Sequence, residues 1–173
     1  INYISVNQKT DTYWKKKLSS YKKPIIAINW QGDHRYAYDD MRSIPLSYFK
    51  DILLNQNFKF ISLQKNFGLE QIKLNNFENI LHDLSSEIDL GKNAFEDTIS
   101  ILKNIECVIT SDTAIAHLAG TLNVKTFLLL SYNPEWRWYI ELKYRCFYPD
   151  INIIQQEKPN NWENVFLKLK ELL

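Results

Sequence analysis

What most limits the folds open to this chain is an alternation of short, nearly continuous apolar runs with stretches of helical spacing. Residues 24–30 (PIIAINW) lack the polar residue at every second place that a half-exposed strand shows, the mark of a strand buried on both faces. Comparable runs follow at 58–63, 107–110, 126–130 and 151–154, with a weaker one at 80–84. Between them, Leu46, Phe49 and Leu53 share one helix face, as do Phe95, Ile99, Leu102 and Ile105. In 113–122 the apolar Ile115, Leu118, Ala119 and Leu122 fall at i, i+3, i+4 and i+7. Trp162, Val165, Phe166, Leu169, Leu172 and Leu173 make a similar stripe behind the N-cap candidates Asn160 and Asn161. Parallel strands need crossover connections, and helices supply them. The expected class is α/β: a doubly wound, mostly parallel, Rossmann-like sheet of about six strands over residues 24–173. Residues 1–23 are expected to hold a lead-in or linker helix around 13–21, and the helix between Ile72 and Asp89 is poorly marked.

A chain of 173 residues with 45% hydrophobic content is long enough for one substantial core and short for two. Its 21 Lys and Arg against 20 Asp and Glu leave a net charge of +1, without the excess that nucleic-acid or anionic-membrane binders draw on, so no nucleic-acid partner is expected. The basic run Lys15, Lys16, Lys17, with Lys22 and Lys23 behind it, reads as a solvated helix face. No apolar stretch reaches the roughly 18 residues of a membrane span, and the chain opens without the apolar core of a signal peptide. Cys107 and Cys146 form no spacing motif, so inert thiols in a reducing, cytoplasmic setting are expected. Asp33, His34 and Asp39 lack the spacing of a metal site, and no metal or other cofactor is expected. The first residue, Ile1, is read either as following a lost initiator methionine or as the start of a piece of a longer polypeptide.

In a sheet of order 3-2-1-4-5-6, strands one and four are neighbours whose outgoing connections part to opposite faces, and ligands collect in the crevice between their carboxyl ends. Strand one leads into the polar loop 31–43, and strand four runs directly into Ser111, Asp112 and Thr113. Asp112 stands where it could cap the helix that follows, leaving the amides of Thr113, Ala114 and Ile115 at the positive end of the helix dipole, a place that attracts phosphate. Ala114 and Ala116 are small enough to let a ligand approach the backbone. His117, four residues after Thr113, shares its face, where an imidazolium would neutralise a departing diphosphate. Spacing alone leaves two readings open: Asp112 as a plain N-cap worth about 1 kcal/mol beside a partly exposed His117, or both as ligand-binding groups. Arg42 either binds phosphate or pairs with Asp39 or Asp40. Trp136, Arg137 and Trp138 either stack on a base or brace a domain interface.

The run SDTAIAHLAGTLNVKTFLLL at 111–130 stands in line with NWQG at 29–32, MRSIPL at 41–46, SLQK at 62–65, FEDT at 95–98 and PEWRWY at 134–139. In order and interval these segments resemble the C-terminal domain of heptosyltransferase-like glycosyltransferases (glycosyltransferase family 9), especially bacterial forms fused behind tetratricopeptide repeats. The resemblance covers residues 24–173. It implies the C-terminal half of a GT-B glycosyltransferase, in which two Rossmann-like domains face each other across a cleft and the second holds a nucleotide-sugar donor without metal. Asp112 and His117 would then be catalytic, with Thr113 and Ala114 beside them on the donor. Ser62, Leu63 and Gln64 would sit by the nucleoside, Asp97 and Thr98 would border base or ribose, and Gln31 and Gly32 would approach the diphosphate from the opposite wall. Two departures stand out: the family commonly has glycine at the place of Ala114, and its diphosphate-binding lysine has Arg35 and Arg42 as candidate replacements.

The partners implied are a nucleotide sugar and an N-terminal acceptor or repeat domain of the same polypeptide. That domain would contribute the catalytic base, so this chain is expected to bind donor and to transfer nothing alone. The alternative is a non-catalytic nucleotide- or sugar-binding scaffold module beside repeats. A flavodoxin-like domain is disfavoured, because Trp30 closes strand one with no acidic pair beside it and no hydroxyl-rich phosphate loop after it.

Overall fold

The structure, a computed structural model, describes residues 4–138 and 148–173. Among them β1 (Ile25–Asn29), β2 (Lys59–Ser62), β3 (Leu81–Asp83), β4 (Cys107–Ser111), β5 (Thr126–Leu130) and β6 (Ile151–Gln155) form one sheet. The order is β3-β2-β1-β4-β5-β6 and every adjacent pair is parallel. Class, order and direction agree with the sequence reading. The apolar runs became strands because helices cover both faces: β1, β4 and β5 are buried along their whole length.

Alternate side chains of β1 feed two cores. Ile26 and Ile28 join Phe49, Ile52, Val165, Phe166 and Leu169, which come from a 3₁₀ turn (Leu46–Phe49), α3 (Lys50–Leu53) and α7 (Glu163–Leu172). Ile25 and Ala27 join Trp14, Leu18, Ile101, Leu102 and Ile115, which come from α1 (Gln8–Leu18), α5 (Glu96–Leu102) and α6 (Ala114–Thr121). Two shorter helices, α2 (Asp39–Arg42) and α4 (Glu70–Leu74), lie in the β1 and β2 connections. At five residues, α4 is too short to carry a helical repeat, which explains its faint trace in the sequence.

The end of α6 is set by local chemistry. Asn123 takes a left-handed backbone, φ 54°. Its amide bonds to the Gly120 carbonyl (3.2 Å) and that of Val124 to the Ala119 carbonyl (3.0 Å), a Schellman closure that returns the chain to β5. The start of α5 is capped from outside the helix. Phe95 at its N-cap offers no side-chain acceptor, and Asp89 Oδ1 instead accepts from the amides of Asp97 (2.9 Å) and Thr98 (3.3 Å).

The opening helix α1 lies earlier than the expected 13–21 and starts at Asn7, whose side chain accepts from the Lys9 amide (2.9 Å). It packs on the same face as α5 and α6: Trp14 is 0% exposed and its Nε1 donates to Asp97 Oδ1 (2.7 Å). Thr10 and Asp11 add bonds to Glu96 and Asn104. Truncating Trp14 to alanine removes this indole and strips Asp97 of a donor, so Trp14→Ala should lower stability by about 3–5 kcal/mol in urea denaturation. A loss under about 1 kcal/mol would show that α1 contributes little to the fold.

Candidate functional site

The floor of the site is a chain of buried amides and hydroxyls at the carboxyl ends of three strands. Asn29 and Thr110 are register partners across β1 and β4. The Thr113 hydroxyl donates to Asn29 Oδ1 (2.8 Å), and Asn29 Nδ2 donates to Gln64 Oε1 (2.9 Å). That same oxygen accepts from the amides of Trp30 (3.1 Å) and Gln31 (3.0 Å), while Gln64 Nε2 donates to the carbonyls of Gln31 and Phe67, both at 2.8 Å. Gln64 is thus saturated and 2% exposed. Ser62 accepts from the Gln64 amide and Leu63 is in the core. The three residues expected beside a nucleoside are therefore the foundation that fixes the β1 and β2 loops, with no free edge to offer a ligand.

Above this floor α6 begins at Thr113, which takes the N-cap position with extended backbone (φ −138°, ψ 174°) and turns its hydroxyl down to Asn29. The helix consequently has no side-chain cap at its start. The expectation that Asp112 caps it is corrected: Asp112 lies one residue before the N-cap, and its Oδ1 accepts from Trp138 Nε1 (2.9 Å). Its carbonyl accepts from Arg42 Nη1 (3.0 Å).

A cleft of about 1090 Å³ opens over this helix start. Ala114 and His117 line it from α6, Arg42 with Tyr36 and Tyr38 from the loop after β1, and residues 134–138 from the loop after β5. Arg42 is held by a buried acid: its Nε donates to Asp39 Oδ1 (2.9 Å), and Asp39, 4% exposed, also accepts from the Ser43 hydroxyl (2.8 Å). Its guanidinium lies 4.6 Å from the Tyr36 ring centroid. Of the two readings of Arg42, the structure shows the pairing with Asp39, and the same side chain lines the cleft. Gly32 makes this approach feasible, since a β-carbon there would collide with the guanidinium. Arg35, the other candidate for the missing lysine, is exposed and paired with Asp33, whose carboxyl its hydrogen bonds hold down to about 2.

The remaining predicted residues lie elsewhere. Gln31 borders a separate recess of about 360 Å³ and accepts from Gln71 Nε2 (3.1 Å). Asp97 spends one carboxylate oxygen on Trp14 and the other on the Asp89 amide (2.7 Å), and the 2% exposed Thr98 donates its hydroxyl to Asp89. Asp97 ties α1 to α5, Thr98 ties Asp89 to the start of α5, and neither lines the cleft. Among the described residues no three His, Cys, Asp or Glu side chains cluster as metal ligands, and no helix is long and apolar enough to cross a membrane. Burial pushes the Cys107 thiol up to about 12. Cys146 and Tyr139 lie outside the described residues.

His117 is half-buried, stacked on Trp138 with centroids 4.8 Å apart and planes at 21°, and its Nδ1 is 3.3 Å from the Tyr148 hydroxyl. Tyr148 in turn rests on Gly120, where a β-carbon would meet its ring. Sequence reasoning missed Tyr148 and Asn29; the second had a signal, a polar residue closing an otherwise apolar strand. Burial holds the His117 pKa below its ordinary 6.5, the Arg137 charge adds to this, and the Asp112 charge works against it. This depression favours the neutral ring, and the field of a bound anion would act in the opposite sense, toward the imidazolium expected from the sequence.

Neither a protein-family model nor a curated protein sequence matches the chain. Solved structures do. The E. coli ADP-heptose LPS heptosyltransferase II superposes with a TM-score of 0.63 at 12% identity, over 98% of this chain and 52% of that one. A glycosyl transferase family 9 protein from Veillonella parvula DSM 2008 gives 0.64 at 13% identity, over 96% and 46%. The chain thus has the doubly wound α/β fold found in these glycosyltransferases and spans about half of their length.

An NMR titration of His117 should give a midpoint below 6.5, and Asp112→Asn should lower it further by removing the stabilising charge. Because the folded pKa is depressed, the stability gained by keeping the ring neutral is complete above pH 6.5 and is lost as pH falls through the folded value. A midpoint at or above 6.5 would contradict the burial argument.

Proposed function

We propose that this chain is the donor-binding, C-terminal half of a metal-independent glycosyltransferase that moves a sugar from a nucleoside-diphosphate donor to an acceptor hydroxyl. The observation that carries the proposal is the 1090 Å³ cleft at the β1/β4 switch point, open above a helix start with no side-chain cap and flanked by Arg42. Free amides at the start of a helix are natural anion ligands, and a guanidinium fixed by a buried carboxylate needs little reorganisation to receive a second one. The donor's anomeric C–O bond to the diphosphate breaks as the acceptor oxygen bonds to that carbon, and the acceptor proton passes to a base supplied by the preceding half of the polypeptide. On this side Ala114, Ile115 and Arg42 hold the leaving diphosphate, and its charge raises the His117 pKa until the imidazolium forms. Asp112 fixes Trp138 and, through it, the plane of His117. Support from outside the chain is the fold shared with two glycosyltransferases, one of them described as acting with ADP-heptose; ADP-sugars therefore head the panel of donors.

The test is calorimetry with ADP-, GDP- and UDP-sugars, of which at least one should bind. Ala114→Asp places a carboxylate at the exposed first position of α6, where the helix itself favours it, and in the space assigned to the diphosphate. It should reduce affinity about thirtyfold or more while melting temperature holds or rises. No binding by any donor, or equal binding by the variant, would refute the assignment. Donor binding without turnover in the polypeptide complete with its preceding half would favour the scaffold alternative.

A further inference from the structure

We infer that Tyr148 is a positioning residue for His117: of the two ways the imidazole can lie against Trp138, its hydroxyl selects the one that sets Nδ1 against the phenol and leaves Nε2, carrying the proton of the neutral ring, for the ligand. This rests on the donor-site reading above and adds how the ring is oriented within that site. Stacking on Trp138, with centroids 4.8 Å apart and planes at 21°, fixes the plane of the imidazole and nothing more. A half-turn about its Cβ–Cγ bond keeps that plane while exchanging Nδ1 with Cδ2 and Nε2 with Cε1. The Tyr148 ring meets the imidazole at 64°, and its hydroxyl lies 3.3 Å from Nδ1. Only a nitrogen at that edge can bond to the phenol, so the flipped ring forfeits the contact.

The tautomer follows from the partner. A phenol is the better donor of the two groups, and Nδ1 accepts from it once the imidazole proton sits on Nε2. Among the described residues nothing bonds to Nε2, which is open to solvent, so its N–H is left to the cleft that His117 lines. Burial and the charges of Asp112, Arg137 and Glu135 act on how readily the ring protonates; the phenol is what tells one edge from the other. A proton gained from solvent lands on Nδ1, the phenol turns to accept it, and the orientation survives the change of charge. The seat of Tyr148 is cut into α6 itself. Gly120 lies three residues after His117, and a β-carbon there would collide with the Tyr148 ring, so the glycine lets the phenol lie close enough to reach the imidazole.

The experiment reads the ring nitrogens of His117 by long-range proton–nitrogen NMR on the isotope-labelled chain at about pH 8, above the ordinary imidazole range. Wild type should show a single tautomer, with Nδ1 in the unprotonated shift range and Nε2 in the protonated one. Tyr148→Phe keeps the ring and removes only the hydroxyl. Gly120→Ala keeps the hydroxyl and displaces it, in a substitution the helix itself favours. Both should draw the two nitrogen shifts toward each other as tautomers mix, and each variant should bind the tightest of ADP, GDP and UDP about fivefold more weakly. A protonated Nδ1 in the wild type, or nitrogen shifts unchanged in Tyr148→Phe, overturns the assignment. If the shifts respond as expected while none of the three diphosphates binds the wild-type chain, the orientation by Tyr148 stands and the donor-site reading fails.

Discussion

The site depends on one topological constraint: β1 and β4 are parallel neighbours whose connections leave for opposite faces of the sheet. Nothing then covers the gap between their carboxyl ends except what the loops supply. In this chain the gap is floored by the Thr113 to Asn29 hydrogen bond, 2.8 Å, and by the Asn29 to Gln64 bond behind it. Buried amides of this kind are worth about 1 kcal/mol each when made and cost about 1–3 kcal/mol when a partner is left bare. Their larger effect here is geometric. By drawing the Thr113 hydroxyl downward they deny α6 its ordinary cap and leave the helix start facing the cleft.

The same economy organises the charge. Asp39 is too buried to stand alone as an anion, so it is bound to Arg42, and Arg42 carries the resulting tether to the cleft wall. Asp112 serves three groups at once: its carbonyl takes an Arg42 N–H, its carboxylate takes the Trp138 indole, and its charge opposes the burial that keeps His117 neutral. A cleft built this way presents a guanidinium fixed by a buried acid beside a half-buried imidazole whose pKa burial depresses.

The sheet was legible because parallel strands buried on both faces must be apolar throughout, and the six runs mark them to within a residue at each end. The crevice followed from the order of the strands. Less of the site was legible. Asp112 before a helix reads as a cap, and only the fold reveals a Trp138 side chain 26 residues away that competes for the carboxylate. The resemblance sets Asp97 and Thr98 beside base or ribose, but Trp14 from α1 and Asp89 occupy them. Gln64 is polar and lies near a strand end, which marks it equally as a ligand contact or as a buried brace; its five hydrogen bonds make it the brace. Polar residues at strand ends announce themselves in sequence, whereas the direction they face is decided by contacts distant along the chain.

The most direct test of the account is a map of backbone amide shifts as a nucleoside diphosphate is added to the chain. The amides of Ala114 and Ile115 should move most, with their protons shifting downfield as they bond to phosphate oxygens, and the β3 edge of the sheet should stay still. If those two amides are unmoved while ligand binds elsewhere, the start of α6 is not the anion site and the functional reading built on it is wrong.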